Sequence, residues 1–439
     1  MTRRFLACAL LCVATPACYA ADLLTFYKEA TVSDPTFASA RAGLLANREK
    51  IPQGRSLLLP QVTLNANILY NSQTVVESPY PTVDLQYPSR TFTLQLTQPL
   101  FRWANWQTYK QDELLVAQAE AQYAQAEEDL ILRVAQAYFD VLNTRDTIDF
   151  LKAQKQAISE QLESAKRNFD VGTATITDTN EAEARYDLAD AQEIAAQSDY
   201  EIKQAALQQI VGHPPGVLAA LVPGVHLAPP APAKLNDWLS SAEASNPQIA
   251  QSEANFQASE RQIEIAKSAR YPSLDVIAER QFQRAPTSIL PPELGSNAQN
   301  SIGIQLSVPL FTGGYNSSKI TEALALSDKA NDDLEASRRA ADQSVRQAFV
   351  GVTNGLAQVK ALEAAEVSSN SALESNKLGY QVGIRINIDV LNAQQQLYST
   401  KRDLAKARYD TLMNSLKLKA AAGTLSEGDV VAVNVLLQH

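Results

Sequence analysis

Cysteine is almost missing from this 439-residue chain, and the three present, Cys8, Cys12 and Cys18, all fall within the first 20 residues. Those residues read as a secretory leader. Arg3 and Arg4 form its charged start, Phe5 to Ala14 its apolar core, and Cys18-Tyr19-Ala20 supplies small residues around a cleavage point after Ala20. The apolar core is too short to span a bilayer. Thr15-Pro16-Ala17-Cys18 lacks the leucine that a lipoprotein signal carries three residues before its cysteine. Beyond the leader there is no thiol, which excludes disulfides and thiolate-held metals.

Histidine is equally scarce. His213, His226 and His439 sit in a loop or at the terminus, without ligand spacing. Basic residues are outnumbered 38 to 48, and losing Arg3 and Arg4 takes the net charge of −10 to about −12. Nucleic-acid binders carry the opposite footprint. No Ser/His/Asp set, metal cluster or Gly-rich phosphate loop is present, so neither an enzyme nor a cofactor is expected. After the leader no apolar run reaches the 18 residues of a transmembrane helix. Any membrane insertion must then use a closed β-barrel, the other structure that satisfies its backbone in lipid.

What the chain does contain is a repeat, offset by about 211 residues. Asp34-Pro35 returns as Asn246-Pro247. Leu94 to Phe101 returns as Ile304 to Phe311, and Val171-Gly172 with Asp178 returns as Val382-Gly383 with Asp389. A fixed period means one supersecondary unit used twice. The expected order is a leader (1–20), a first repeat (21–213), a Pro-rich connection (214–235), a second repeat (236–425) and a tail (426–439).

Each repeat reads as helix, two strands and long helices. The segment from Asp22 to about Ser56 is expected to be one helix. Val62, Leu64, Ala66, Ile68 and Tyr70 alternate with polar residues, as do Phe92, Leu94 and Leu96; Leu274, Val276 and Ala278 and then Ile302, Ile304, Leu306 and Val308 follow in the second repeat. That period of two predicts four strands of roughly ten residues, long enough for tilted membrane strands. Polar, Pro-bearing loops are expected at 72–90 and 283–300. From Leu100 to Val171 there is neither proline nor glycine, which predicts a helix reaching about 108 Å if continuous. Further helices are expected at about 179–211, 315–378 and 389–422, with Gly351 and Gly355 marking a softer point. Helices this long must pack along their length. Leu151, Ile158, Leu162, Ala165 and Phe169 offer a coiled-coil stripe that Lys155 breaks. Pro60, Pro99, Pro272 and Pro309 stand where strand meets helix and should end the ladder there. Aromatics cluster near the strand ends: Tyr70, Phe92, Phe101, Trp103, Trp106, Tyr271, Phe282, Phe311 and Tyr315. They suit interface girdles or core packing equally well. Four strands cannot close a barrel, whereas three chains would supply 12.

Together these residues resemble the TolC family of outer-membrane export ducts over almost the whole mature chain. The motifs that carry the resemblance are Asp34-Pro35, Leu57-Leu58-Leu59-Pro60-Gln61, Gln98-Pro99-Leu100-Phe101, Ala137-Tyr138-Phe139, Val171-Gly172, Asn246-Pro247, Pro309-Leu310-Phe311-Thr312-Gly313-Gly314, Gly379-Tyr380-Gln381-Val382-Gly383 and Ala420-Ala421-Ala422-Gly423-Thr424-Leu425. The resemblance implies a mainly α homotrimer in the outer membrane. A 12-stranded β-barrel would continue into a 12-helix periplasmic α-barrel, and an equatorial collar would surround it. It implies three kinds of partner: a periplasmic adaptor, an inner-membrane efflux pump or ABC transporter, and outer-membrane lipid. The work would be multidrug efflux, type I protein secretion or both, without catalysis. A cell-surface coiled-coil protein with a structural or adhesive role is the competing reading.

By the same resemblance the periplasmic tip lies at the turns Val171–Asp178 and Val382–Asp389, around Gly172 and Gly383. Tyr380 and Arg385 would latch one helix pair to Thr177 and Asp178 of the other, and release would open the entrance like an iris. Arg385 is a five-donor cation, and Thr177 and Asp178 are acceptors. The competing view takes these as ordinary turn residues. Asp389 would form a ring of three carboxylates that favours cations. The family's second acidic ring falls on Asn392 here, which should weaken divalent-cation block. Gly313 and Gly314 belong to the strand–helix junction of the second repeat.

Overall fold

The computed structural model describes residues 22–76, 82–286 and 294–438; the expected leader lies outside them. The chain divides into two units. One combines residues through Ala38 with Glu127–Ser240 and Ser344–His439, the other Ser39–Ala126 with Ser241–Gln343.

The expected first helix is three helices, α1 (Leu23–Ser33), α2 (Pro35–Arg48) and α3 (Lys50–Ser56). Pro35 explains the first break, because it forces the preceding residue out of the helical region; Asp34 is extended, at ψ 117°. Its carboxylate then caps α2 by accepting from Phe37 N at 3.0 Å. In the second repeat α6 (Leu235–Ser245) is followed by α7 (Pro247–Ser268), whose cap Asn246 accepts from the N–H groups of Gln248 and Ile249. Both repeats thus place a short polar side chain before a proline at the first helical position, where its missing N–H costs nothing.

The sheet belongs to the second unit. β1 (Gln61–Val75), β2 (Val83–Phe101), β3 (Ser273–Pro286) and β4 (Leu294–Ser307) form an antiparallel meander in that order, and β2–β3 pairing joins the repeats. The strands hold 14 to 19 residues, longer than the roughly ten expected. The expected loops 72–90 and 283–300 shrink to match, and the middle of each lies outside the described residues. The apolar alternation marked only the part of each strand with a one-sided surface. Beyond it the ladder continues through residues such as Asn71, Ser72, Gln73 and Thr74, whose pairing needs no apolar face.

Register places the alternating residues except Val308, which lies beyond β4. Opposed pairs Val62–Leu96, Leu64–Leu94, Ala66–Phe92, Phe92–Phe282, Leu96–Ala278, Ala278–Ile302 and Val276–Ile304 all lie on one face. Thr63–Gln95, Asn65–Thr93, Gln95–Glu279 and Glu279–Ser301 occupy the other. Val62, Leu64, Ile68, Leu94, Ile302, Ile304 and Leu306 are exposed. Among the described residues β1 and β4 each pair on one side only. The aromatics Tyr70, Phe92, Phe101, Trp106, Tyr271, Phe282, Phe311 and Tyr315 are exposed too, which disfavours core packing for them.

Long helices follow the strands: α4 (Trp103–Asp170), α5 (Ile176–Val211), α8 (Tyr315–Gln381) and α9 (Asn387–Ala421), with α10 (Glu427–Asn434) at the end. α8 runs unbroken through Gly351 and Gly355. A Cβ on Gly355 would stand 2.5 Å from Thr411 Oγ1, and one on Gly351 3.2 Å from the Asn414 side chain. They are glycine because α9 passes close by. The stripe on α4 is buried at Leu151, Ile158, Leu162 and Ala165, but Phe169 is exposed. Lys155 does not break the packing. Its ammonium reaches Glu193 at 2.6 Å and Asp190 at 2.9 Å on α5, and these carboxylates hold its pKa well above the usual lysine range.

The largely aliphatic core of the first unit contains an aromatic cluster. Tyr138 is fully buried, lies 5.8 Å from Phe26 and donates to Ala219 O at 2.7 Å. Tyr409 lies 5.8 Å from Phe139 and donates to Asp146 at 2.7 Å. The connection carries its own ties: Val222 N donates to Leu436 O, Gln438 N to Ala220 O, and Arg145 to Leu218 O.

Candidate functional site

Two helix-to-helix turns, both in the first unit, hold the residues singled out above. Their backbones match. In the first, Thr173 N donates to Asn168 O (2.8 Å) and Gly172 N to Phe169 O (2.9 Å); in the second, Ile384 N donates to Gly379 O (2.8 Å) and Gly383 N to Tyr380 O (3.1 Å). These are Schellman ends, which need a left-handed residue, and Gly172 and Gly383 supply φ values of 79° and 77°.

The helix starts that follow do not match. Thr175 caps α5 and forms a reciprocal box with Asp178, whose carboxylate accepts from Thr175 N (2.9 Å) and Oγ1 (2.7 Å). The residue in the same place before α9 is Ile386, which has no hydroxyl and makes no side-chain cap. Asp389 is therefore released from the duty that occupies Asp178. Its carboxylate instead lies 3.6 Å from Arg385 Nη1. A Thr-to-Ile difference between repeats turns a structural carboxylate into an available one.

The chain does not bring Tyr380 and Arg385 to Thr177 and Asp178. The Tyr380 hydroxyl accepts from Asn168 Nδ2 at 3.1 Å, and Arg385 pairs with Asp389. Among the described residues no hydrogen bond or ion pair within the chain joins either to the side chain of Thr177, which is exposed, or of Asp178. Asn392 is exposed on α9 and accepts from Arg185 Nη2 at 3.1 Å, while Arg185 Nη1 donates to Gln395 at 2.6 Å.

The main link between the two turns is Asn387, which sequence reasoning missed. It is 1% exposed, donates to Asp178 O at 3.1 Å and accepts from Gln161 at 2.5 Å. Its signal was available: Asn387, Val390, Leu391, Gln394 and Leu397 recur at helical spacing on one buried face of α9. Around these polar links Ile158, Leu162, Ala182, Ala189 and Leu391 form an apolar cluster, and Leu373, Val390 and Leu397 form another against Tyr380. The two turns thus meet in a thin polar seam between small apolar clusters.

At the strand–helix junction Pro60 and Pro272 stand just before β1 and β3, and Pro309 stands beyond β4. Pro99 differs from expectation: it lies inside β2, opposite Asp275, where a bulge before Phe101 absorbs its missing N–H. Arg102 then grips Asp275 through two hydrogen bonds of 2.8 and 2.7 Å. Gly313 and Gly314, at φ 62° and 87°, make the corresponding turn into α8.

A family model described as "Outer membrane efflux protein" matches residues 26–213 and 238–424, one stretch in each repeat. The chain is 33% identical over 428 residues to the outer membrane protein TolC of Escherichia coli (strain K12), covering 94% of this chain and 85% of that one. It is 30% identical over 427 residues to the alkaline protease secretion protein AprF of Pseudomonas aeruginosa, covering 94% and 87%. Among solved structures, the Campylobacter jejuni CmeC outer membrane channel superposes with a TM-score of 0.80 at 17% identity, covering 94% of this chain and 89% of that one.

Proposed function

The chain belongs to the outer membrane efflux protein family, and on that premise we propose how its parts make a channel and a gate. It is an outer-membrane export protein, and the cell-surface adhesive reading is left without support. In our reading three copies close one conduit. The observation that carries this is the sheet: an apolar exposed face, a polar opposite face, and open edges at β1 and β4. An open edge is not tolerated in lipid. Pairing β4 of one copy with β1 of the next removes every edge at 12 strands and leaves the polar face toward water. The helices would continue the wall into the periplasm, and an adaptor with an inner-membrane pump or ABC transporter would dock there. The names of the relatives support two cargo classes: AprF belongs to protease secretion, and other relatives to efflux pumps.

The gate would lie at the tip. Asp389, free of capping, would stand as one member of a threefold carboxylate ring, with Arg385 beside it as a partial counter-charge. Asn168–Tyr380 and the Asn387 links would hold the turns in the closed state. Any contact of Tyr380 or Arg385 with Thr177 or Asp178 would cross between copies, since within a copy those side chains bond elsewhere. The loss of the second acidic ring at Asn392 predicts weak block by divalent cations. Single-channel recording of the purified protein in a planar bilayer tests the reading. Small, cation-preferring steps are expected; large unselective steps, or no insertion, would overturn it.

A further inference from the structure

The apolar face of the sheet carries three arginines that the export path does not use. Arg90 on β2 stands directly opposite Arg284 on β3, and Arg280 lies on the same face of β3, opposite Leu94. All three are exposed, and none belongs to an ion pair among the described residues. The one carboxylate among the described strand residues on that face is Asp84, six residues further along β2 and engaged by the Thr74 hydroxyl at 2.6 Å. Like charges directly opposite across a ladder, with Cβ atoms about 5 Å apart, destabilise the pair. An anion shared by Arg90 and Arg284 would remove that cost.

Position says which anion. The continuous apolar run ends at Tyr70 on β1, at Phe92 before Arg90 on β2, at Ala278 before Arg280 on β3, where Phe282 follows between the two arginines, and at Ile302 before Asn300 on β4. That boundary slopes across the sheet, as it must when strands tilt about 35–45° to the membrane. All three arginines lie just past it on the hairpin side, at the level where hydrocarbon would give way to headgroups. Long arginine stems lie along apolar surface while the guanidinium reaches polar surroundings. Its fork matches phosphate oxygens in two parallel hydrogen bonds.

We propose that Arg90, Arg284 and Arg280 form a binding site for the phosphate groups of an outer-leaflet lipid, one site per copy on the outside of the barrel. This rests on the sheet facing lipid as proposed above. The test is native mass spectrometry of the full-length protein in detergent, titrated with bisphosphorylated lipid A, with its dephosphorylated form and with inorganic phosphate. The phosphorylated lipid should bind at least about tenfold more tightly than the dephosphorylated one, and R90Q/R284Q should lose most of that difference, whereas R90K/R284K should keep much of it. Equal binding of both lipids, unchanged binding by R90Q/R284Q, or displacement by millimolar inorganic phosphate alone would overturn the proposal. Should R90Q/R284Q fail to fold, the wild-type preference between the two lipids still decides. A protein that conducts in bilayers but binds both lipids equally loses the lipid site and keeps the channel; one that forms no channel loses the premise.

Discussion

Single residues decide what each repeat does with the same backbone. Thr175 ties Asp178 into a cap, and Ile386 leaves Asp389 to Arg385. Asp389→Ala should therefore weaken cation preference, read as a reversal potential moving toward zero in a salt gradient, while Arg385→Ala should strengthen it. Ile386→Thr is the sharper variant. It should recruit Asp389 into a capping box, stabilise α9 by about 1 kcal/mol and reduce selectivity together. Glu128 makes a pH prediction. Burial first, then the neighbouring Asp129 charge, push its carboxyl up to about 7. In the unfolded chain it titrates near 4.5, so the folded state binds more protons between about 4.5 and 7. Stability must fall as pH rises through that window. Glu128→Gln should raise the melting temperature at pH 8, worth about 1–3 kcal/mol, and change little near pH 4.5.

At the scale of elements, most of the fold was legible because its signals are long. Period-two alternation marked the four strands, and the Gly- and Pro-free stretch marked α4. What escaped was local. The strand ends continue past the apolar band because backbone pairing alone sustains them, so composition there reads as loop. Pro99 reads as a stop, yet a bulge accommodates it inside β2. Gly355 reads as a weak point in α8, yet it marks contact with Thr411. Helix propensity alone favours alanine over glycine by about 1 kcal/mol. Gly355→Ala should instead destabilise by about 1–3 kcal/mol, because the new methyl meets a buried hydroxyl already bonded to Ala407 O. Thr411→Ala should recover much of the loss in the double variant, as measured by thermal unfolding. Of the candidate site, the turn glycines and both aspartates were legible through the repeat. Asn387 was overlooked although its helical spacing with Val390, Leu391, Gln394 and Leu397 marks a buried face, whereas Asn168, a half-buried amide near the end of a polar helix, has no compositional mark.

For the whole molecule the proposed gate and the proposed ring rest on the two turns and on the sheet. Within one copy the neutral hydrogen bonds around the two turns are Asn168–Tyr380, Gln161–Asn387 and Asn387–Asp178, each worth about 1 kcal/mol net, and in the proposed gate they would belong to the closed state. Tyr380→Phe combined with Asn387→Ala should increase single-channel conductance, and an unchanged conductance would place the closing contacts elsewhere. The open edges of the sheet carry a genetic corollary. In the proposed ring β4 of each copy meets β1 of the next, a head-to-tail arrangement in which no copy can be skipped. A subunit that folds but presents a spoiled β4 edge would enter assembly and leave the ring unclosed. Intact rings would then scale as the cube of the normal fraction, so an equal mixture would leave roughly one ring in eight. Alleles that damage either edge strand should accordingly be dominant over a coexpressed wild-type copy, whereas alleles that prevent folding altogether should be recessive.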